Sequence, residues 1–344
     1  MPRSKEGFLW TPSSTKTGLE TDSVLSSTPA SKLRDTYDVI VIGAGFAGLI
    51  AARDLSKQPG LNVLLVEGRD RIGGRTWTAK ELGEEFEMGG TWVHWNQPHV
   101  YAELSRYALH SRLKTSAGTL AAERNVFAAP SGAVRSVPPD DVAAAAQRVA
   151  DAFFAVDGRS SRDWMPFPHD PLRAPAPWRA LDRLSVADRL AQLPAVPQPD
   201  KDVFDALVAS FGSAPGCETG FVEALRCNCL GDMSFGPPLS SLKQEAIRHG
   251  HMNQGAKIHM RLRDTEPGWF AMASANSDSP WCFSFSDHNG TGSKSGDGTY
   301  AIAFGYNDRI PDPTKPENSE QIIKSFAQYL RPTDLPGCVV LLGS

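Results

Sequence analysis

The sequence has few cysteines, and none are spaced as metal ligands usually are. Its 344 residues contain five: Cys217, Cys227, Cys229, Cys282 and Cys338. An odd count without a CxxC pair argues against both a disulfide framework and a zinc site. We therefore expect a reducing, intracellular compartment. Cys227 and Cys229 are interpreted as core thiols rather than as a redox pair.

Long apolar runs and an excess of positive charge are also absent. No run approaches the roughly 18–20 apolar residues of a membrane span, and residues 1–36 contain no signal-peptide core. The net charge is −4, whereas nucleic acids and anionic membranes favour basic surfaces. The prediction is a cytoplasmic protein with no membrane anchor and no nucleic-acid partner. Its last residues, Leu342-Gly343-Ser344, are not a peroxisomal signal.

Sequence motifs of hydrolases and metalloenzymes are missing. No Gly-x-Ser-x-Gly elbow and no His-Glu-x-x-His pair occur. His249, His251 and His259 lie close together in the sequence, but their spacing fits no metal site. No metal is expected.

The length of the chain predicts about two domains at roughly 150 residues each. Residues 1–36 are rich in Ser, Thr, Lys and Pro, which is typical of a disordered arm. A first α/β segment is assigned to residues 37–98, and a mainly helical lobe to residues 99–226. The final segment, residues 227–344, contains sheet and helix.

A β-strand, a helix and a second strand are predicted at the start of the first segment. Val39 to Ile42 is an unbroken β-branched run, typical of a strand buried on both faces of a parallel sheet. Phe46 to Leu55 has helical composition, and Val63 to Val66 is a second such strand. This order predicts a βαβ unit.

Three glycines follow the first strand at the spacing of a dinucleotide-binding turn. Gly43 permits the tight turn, Gly45 lets the backbone approach a pyrophosphate, and Gly48 lets the helix pack closely on the sheet. The pyrophosphate would lie at the positive end of the helix dipole. Glu67, at the tip of the second strand, can accept hydrogen bonds from ribose hydroxyls. Chance turn glycines are the alternative, and Glu67 alone does not distinguish FAD from NAD.

Two further motifs carry a family resemblance. The stretch from Glu67 to Arg75 resembles the E-x-R-x-R-x-G-G-R extension of the flavin amine oxidases, and Met88 to Trp95 resembles the following strand in fungal-type monoamine oxidases. The resemblance implies bound FAD. It also implies that FAD is non-covalent, because the cysteine that animal monoamine oxidases use for attachment lies in a C-terminal segment with no counterpart here.

The residues expected to bind FAD follow from these motifs. Arg69 and Arg75 can neutralise pyrophosphate charge, and the paired glycines leave room for a flat ring. Solvated arginines and turn glycines are the alternative, and core packing is the alternative for Trp92. The predicted set is Gly43, Ala44, Gly45, Phe46, Ala47, Gly48, Glu67, Arg69, Gly74, Arg75, Gly89, Gly90, Thr91 and Trp92.

The rest of the chain predicts a helical lobe followed by an antiparallel sheet. Helices are predicted near residues 99–113, 141–156, 185–193, 202–211, 242–249 and 319–330, a hairpin within 116–137, and strands near 257–262, 281–285 and 300–306. The fold class is therefore α/β: an incomplete Rossmann-like FAD-binding domain with an α+β substrate domain, which has a mostly antiparallel sheet and a helical lobe.

The resemblance to the family is interrupted. It runs to about Phe211 and resumes at Asn228, at a point that lies far downstream in the family pattern. It implies an internal deletion of the segment that grips the adenine end of FAD. It also implies the absence of the family's Gly-rich closing segment after Ser344.

The resemblance places one lysine near the flavin. Its match is Lys257, within Gln254-Gly255-Ala256-Lys257-Ile258; a solvated lysine at a strand edge is the alternative. The implied activity is oxidation of a primary amine to an imine and then an aldehyde, with O2 reduced to H2O2. A homodimer is a further expectation. An inactive homologue that binds but does not turn over, and a flavoprotein acting on a non-amine substrate, are the alternatives.

Overall fold

The computed structural model describes residues 2–90, 92–93, 97–113, 122–212, 214–230, 255–264, 266, 268–286, 298–306, 308–331 and 339–342. The strands in these ranges are β1 (Arg3–Thr11), β2 (Ser14–Glu20), β3 (Val39–Ile42), β4 (Val63–Val66), β5 (Thr78–Glu81), β6 (Glu84–Glu87), β7 (Arg124–Ala128), β8 (Val134–Val137), β9 (Gly255–Leu262), β10 (Trp269–Ala273), β11 (Trp281–Ser286), β12 (Thr299–Tyr306) and β13 (Val339–Leu342). The helices are α1 (Phe46–Ser56), α2 (Pro98–Arg106), α3 (Pro139–Phe154), α4 (Ser161–Trp164), α5 (Val186–Ala191), α6 (Gln198–Gly212), α7 (Phe221–Leu230) and α8 (Ser319–Tyr329).

A large sheet dominates the described part of the chain. Nine strands follow the order β2-β1-β13-β9-β12-β11-β10-β7-β8. Every neighbouring pair is antiparallel except β10 with β7. The predicted mostly antiparallel sheet is therefore confirmed, as is the hairpin within 116–137.

The two faces of this sheet bury different side chains, because successive residues of a strand point to opposite faces. On one face, Ile258 and Met260 of β9 pack with Ile322 and Phe326 of α8. On the other, a second cluster packs the sheet against α3 and α6. Lys257 and His259 of β9 are also buried, at 8% and 1% exposure. Their alternation with the apolar residues puts them on the face opposite α8.

The middle of the chain forms the predicted helical lobe. Phe153 of α3, Phe204 of α6 and Phe221 of α7 meet in its core, with ring centroids 4.9 and 5.1 Å from that of Phe153. At the start of α5, the Ser185 hydroxyl accepts a hydrogen bond from the Asp188 amide, and the Asp188 carboxylate accepts one from the Ser185 amide. This capping box confirms the predicted helix start.

The prediction of a disordered N-terminal arm is wrong. Residues 3–20 form a hairpin that joins the large sheet, with β1 paired to β13. Phe8 and Leu19 are buried at 3% and 0% exposure. The polar composition of residues 1–36 predicted disorder because these two apolar residues are few and far apart. They nevertheless anchor the hairpin to distant parts of the chain. Residues 25–36 are exposed.

The predicted βαβ unit forms, but its strands are less buried than their composition indicates. β3 and β4 pair in parallel from Val39 with Val63 to Ile42 with Val66. Ile40 and Ile42 are nevertheless 57% and 86% exposed. β4 is the only partner of β3 within the described residues, so no described strand lies along its other edge.

No helix among the described residues is both long and apolar enough to cross a membrane. The predicted helix near residues 242–249 lies outside the described residues, as do His249, His251 and Thr91.

Candidate functional site

The turn between β3 and α1 has the geometry that the glycine spacing predicts. Gly43 has a φ of +94°, a conformation that favours glycine. A Cβ on Gly48 would lie 1.9 Å from the Gly43 carbonyl oxygen. The close approach of the helix to the turn therefore requires a residue without a side chain at position 48. A Cβ on Gly45, by contrast, would meet nothing nearer than Gly74 Cα at 4.0 Å. The backbone at the start of α1 is therefore open on one side.

Glu67 lies beside this turn, at the end of β4. Its Oε2 accepts a hydrogen bond from the Ala44 amide at 2.7 Å, and its Oε1 accepts one from the Arg69 amide at 2.9 Å. The amide of Ala44, followed by that of Arg69, lowers the pKa of the Glu67 carboxyl. The group is thus an anion with lone pairs to spare, since each carboxylate oxygen can accept two hydrogen bonds.

The loop after Glu67 folds back onto the glycine turn. The Gly73 amide donates to the Ala44 carbonyl at 2.8 Å, and a Cβ on Gly74 would lie 3.2 Å from Gly45 Cα. Arg75 is exposed and forms no ion pair with any described residue. Its guanidinium is therefore available to an anion at the turn.

Arg69 has a partner that the sequence did not indicate. Its Nε donates to Glu6 at 2.7 Å, so it is held by the N-terminal hairpin. No sequence motif connects these residues, which lie 63 positions apart. Over half of the Arg69 side chain remains exposed, at 54%.

The second glycine pair closes the other side of the loop. The Gly90 amide donates to the Arg75 carbonyl at 3.2 Å, and a Cβ on Gly89 would lie 1.6 Å from that oxygen. Trp92 follows, with 44% of its surface exposed. Gly90 therefore contacts the loop that follows Glu67, and Trp92 packs on the face of the large sheet that carries Lys257.

Lys257 reaches this segment from β9. Its Nζ donates to the carbonyl of Glu87 at 2.5 Å and to that of Gly89 at 2.8 Å. Burial lowers the pKa of Lys257 to about 7, and the negative charge of Glu87 opposes this effect. Burial likewise raises the pKa of Glu87, while Lys257 lowers it.

The two carbonyl oxygens can accept hydrogen bonds from either form of the lysine amine, so these contacts fix the position of Nζ. Burial is what favours the neutral form, because it penalises the charge. A neutral amine has a lone pair that can take up a proton. A lysine held in this way near neutral pH fits the role of a base.

His259 belongs to the same contact and was not predicted as a site residue. Its Nε2 lies 3.0 Å from the Glu87 carbonyl, so this nitrogen is the donor. The sequence did contain a signal: Lys257 and His259 are two apart on a strand, which places them on one face.

An aromatic surface adjoins Lys257 on the same face of the sheet. Phe283 and Phe304 stack with ring centroids 4.4 Å apart, and Trp92 lies over Phe304 at 5.6 Å. Phe270 packs beside Phe283 at 5.9 Å. The Lys257 Nζ is 6.0 Å from the centre of the Phe304 ring. We call Trp92, Phe270, Phe283 and Phe304 the aromatic surface; the sequence did not single out its phenylalanines.

Comparison with known proteins identifies the family. The profile described as "Flavin containing amine oxidoreductase" matches residues 46–229, more than half of the chain. The chain belongs to this family of enzymes. The match includes Glu67, the loop from Arg69 to Arg75, which we call the arginine loop, and Gly89–Gly90. The family name confirms the expectation of a flavin cofactor.

Two curated relatives from bacteria are similar over different lengths. Pseudooxynicotine dehydrogenase from Pseudomonas sp is 28% identical over 352 residues, covering 80% of this chain and 68% of the relative. Nicotine dehydrogenase from Pseudomonas putida (strain DSM 28022 / S16) is 40% identical over 157 residues, covering 46% of this chain and 31% of the relative. The chain thus spans only part of their lengths.

A solved structure agrees on the fold. Wild-type putrescine oxidase bound to putrescine has a TM-score of 0.59 and 18% identity, with 90% of this chain and 84% of that chain covered. The α/β FAD-binding fold predicted from the sequence is therefore confirmed.

The described residues of this amine oxidase relative fit a flavin dinucleotide. The backbone at the N-terminus of the 11-residue helix α1 is open at Gly45, which suits a pyrophosphate. Among the described residues Arg75 has no ion-pair partner, and the Glu67 carboxylate keeps lone pairs that suit hydroxyl donors. No group of three His, Cys, Asp or Glu side chains in the described ranges is arranged to hold a metal ion.

Proposed function

We propose that the protein is an FAD-dependent amine oxidase of the fungal monoamine oxidase type. The substrate would be a primary amine, oxidised to an imine that hydrolyses to an aldehyde, with O2 reduced to H2O2. The observation that carries the proposal is the contact of Lys257 with the carbonyls of Glu87 and Gly89. It joins the lysine that the family resemblance places near the flavin to the segment that contains Gly89 and Gly90.

The predicted cofactor residues would share the work of holding FAD without a covalent bond. The amides at the start of α1, together with Arg75, would hold the pyrophosphate, and Glu67 would hold the ribose. Gly89, Gly90, Thr91 and Trp92 would line the ring. When bound, FAD supplies the acceptor for two electrons from the carbon next to the amine.

The side chains of the protein would bind and orient the amine. The aromatic surface offers apolar area and ring faces to its hydrocarbon part, while the uncharged form of Lys257 holds a water or takes up a proton. A dry site favours a neutral substrate amine, which is the form that can be oxidised.

An absorbance spectrum of the purified protein tests the proposal. A flavin spectrum that bleaches when benzylamine is added without air, and returns with peroxide formation when air is admitted, is the expected result. Colourless protein that cannot be reconstituted with FAD would refute it. Bleaching by a non-amine donor alone would favour a flavoprotein with another substrate.

An inactive homologue is the second candidate, and the exposure of β3 favours it. In a dinucleotide-binding domain, helices normally cover both faces of the parallel sheet. Ile40 and Ile42 on β3 nevertheless remain largely exposed. In that case the glycine turn would retain some affinity for the pyrophosphate without amine turnover. Normal turnover by this chain would exclude this candidate.

Location and assembly complete the proposal. A cytoplasmic protein is supported by Cys217, Cys227, Cys229 and Cys282, which are free thiols. Nucleic acid is not expected as a partner. A homodimer is expected, and light scattering after size-exclusion chromatography would measure the mass directly.

A further inference from the structure

The N-terminal hairpin contacts the arginine loop through Glu6. Glu6 Oε1 accepts from Arg69 Nε at 2.7 Å, and Oε2 accepts from Arg71 Nε at 2.9 Å and also from its terminal nitrogen. A single carboxylate thus bridges two guanidinium groups. Asp70, between them, accepts from the Ser4 hydroxyl at 3.0 Å and from the Lys5 amide at 2.7 Å.

Arg71 is the buried member of the pair. It is 3% exposed, and its guanidinium lies 4.2 Å from the centre of the Trp77 ring. Its remaining terminal nitrogen donates to the Gly74 carbonyl at 2.8 Å. Within the described residues, Glu6 is the only carboxylate paired with this cation. Loss of Glu6 would leave a buried charge unpaired, which proteins rarely tolerate.

The double-glycine turn connects Arg71 to the dinucleotide-binding turn. Gly73 forms a parallel bridge with Gly45, and Gly74 lies against the Gly45 backbone. The hairpin region adds a second fixed point, since the Ile72 amide donates to the Ser23 carbonyl at 2.9 Å. A continuous set of contacts therefore runs from Glu6 through Arg71 and Gly74 to Gly45.

We propose that Glu6 is a positioning residue for the cofactor: it holds the arginine loop, through Arg71, against the turn that binds the pyrophosphate. Arg71 takes the structural role, and the exposed Arg69 and Arg75 remain near the surface for the phosphates. The inference rests on the proposed function, because it assumes that FAD binds at this turn. It assigns a function to a hairpin that the sequence indicated to be disordered.

The test compares FAD affinity in Glu6→Gln, Glu6→Asp and Glu20→Gln. Glu20 is a matched control, because it lies in the same hairpin and pairs with Arg3 at 2.9 Å rather than with the arginine loop. Titration of cofactor-free protein, followed by flavin fluorescence, should show about tenfold weaker binding or more for Glu6→Gln. The aspartate in Glu6→Asp is too short to bridge both arginines, so its FAD affinity should lie between those of the wild type and Glu6→Gln. The FAD affinity of Glu20→Gln should equal that of the wild type. Excess FAD should restore turnover, because the effect lies in affinity.

Hydrogen exchange without cofactor gives an independent measurement. The Ile72 and Gly73 amides should exchange faster in Glu6→Gln than in the wild type, and at the wild-type rate in Glu20→Gln. Wild-type FAD affinity in a folded Glu6→Gln protein would overturn the inference about Glu6 but leave the proposed function intact. If that variant does not fold, wild-type affinity in Glu6→Asp would do the same. A wild-type protein that binds no FAD would overturn the proposed function and the inference with it.

Discussion

Asp205 offers a prediction of stability that does not depend on the cofactor. It lies on α6 and is 4% exposed, and its Oδ2 accepts a long hydrogen bond from Asn276 Nδ2 at 3.5 Å. Burial, followed by the nearby charge of Asp202, raises the pKa of its carboxyl to about 6, and the Gly216 amide opposes this. The ordinary value is 3.8.

The sign and size of the effect follow from linkage. Between pH 3.8 and about 6, the folded state holds a proton that the unfolded state has released, so stability falls as the pH rises through this window. A shift of about two units corresponds to about 3 kcal/mol, present in full above the folded pKa. Asp205→Asn removes this cost and should stabilise the protein at pH 7 by up to that amount.

Chemical unfolding of the wild type and of Asp205→Asn at pH 4 and pH 7 measures the effect. The difference in unfolding free energy between the two proteins should be near zero at pH 4 and reach about 2–3 kcal/mol at pH 7. The contributions of the other carboxylates to the pH dependence are the same in both proteins, so they cancel in this difference. Asp202→Asn serves as the control and should retain most of the pH dependence. An equal difference at both pH values would refute the reasoning.

Three other outcomes are expected. Lys257→Met should slow amine-dependent flavin reduction by about 10²–10⁴-fold without weakening FAD binding. In the wild type, kcat/KM should rise with pH through a pKa of about 7 as Lys257 loses its proton, and a kcat/KM that is constant from pH 6 to 8 would contradict this. Gly48→Ala puts a Cβ 1.9 Å from the Gly43 carbonyl oxygen and should destabilise the protein by about 1–3 kcal/mol in chemical unfolding and impair FAD binding; unchanged stability would be inconsistent with that contact. The exposed Cys217 should react with a thiol reagent in the native protein, whereas burial raises the pKa of Cys282 to about 12 and should block its reaction until the chain unfolds; equal rates would disprove the difference in burial.

Local motifs in this chain could be predicted from the sequence because local backbone geometry determines them. Gly43 adopts the positive φ that a tight turn demands, and Gly48 fits where no Cβ can. Ser185 caps its helix for the same local reason. In each case the residues that define the structure lie within a few positions of one another.

Features that depend on distant pairing could not be predicted. The hairpin at residues 3–20 owes its order to β13 and to Arg69 and Arg71, all far away in the sequence. The aromatic surface depends on which strands are neighbours, since Phe283 and Phe304 meet only because β11 lies beside β12. Strand periodicity gives the face of each residue but not its neighbours across the sheet.

The backbone of Glu87 joins the two parts of the candidate site. Its carbonyl accepts hydrogen bonds from Lys257 and His259, while its carboxylate accepts the amides of Trp77 at 3.0 Å and Gly89 at 3.1 Å. Moving Lys257 relative to the Gly89 turn would leave buried polar groups unpaired, at about 1–3 kcal/mol each. Backbone atoms therefore fix the distance between the lysine and the proposed flavin segment. The Glu87 side chain has a separate effect, because its negative charge opposes the neutral form of Lys257. Position and protonation of the lysine thus depend on different atoms of one residue, and a substitution that removes only the charge can change the second without the first.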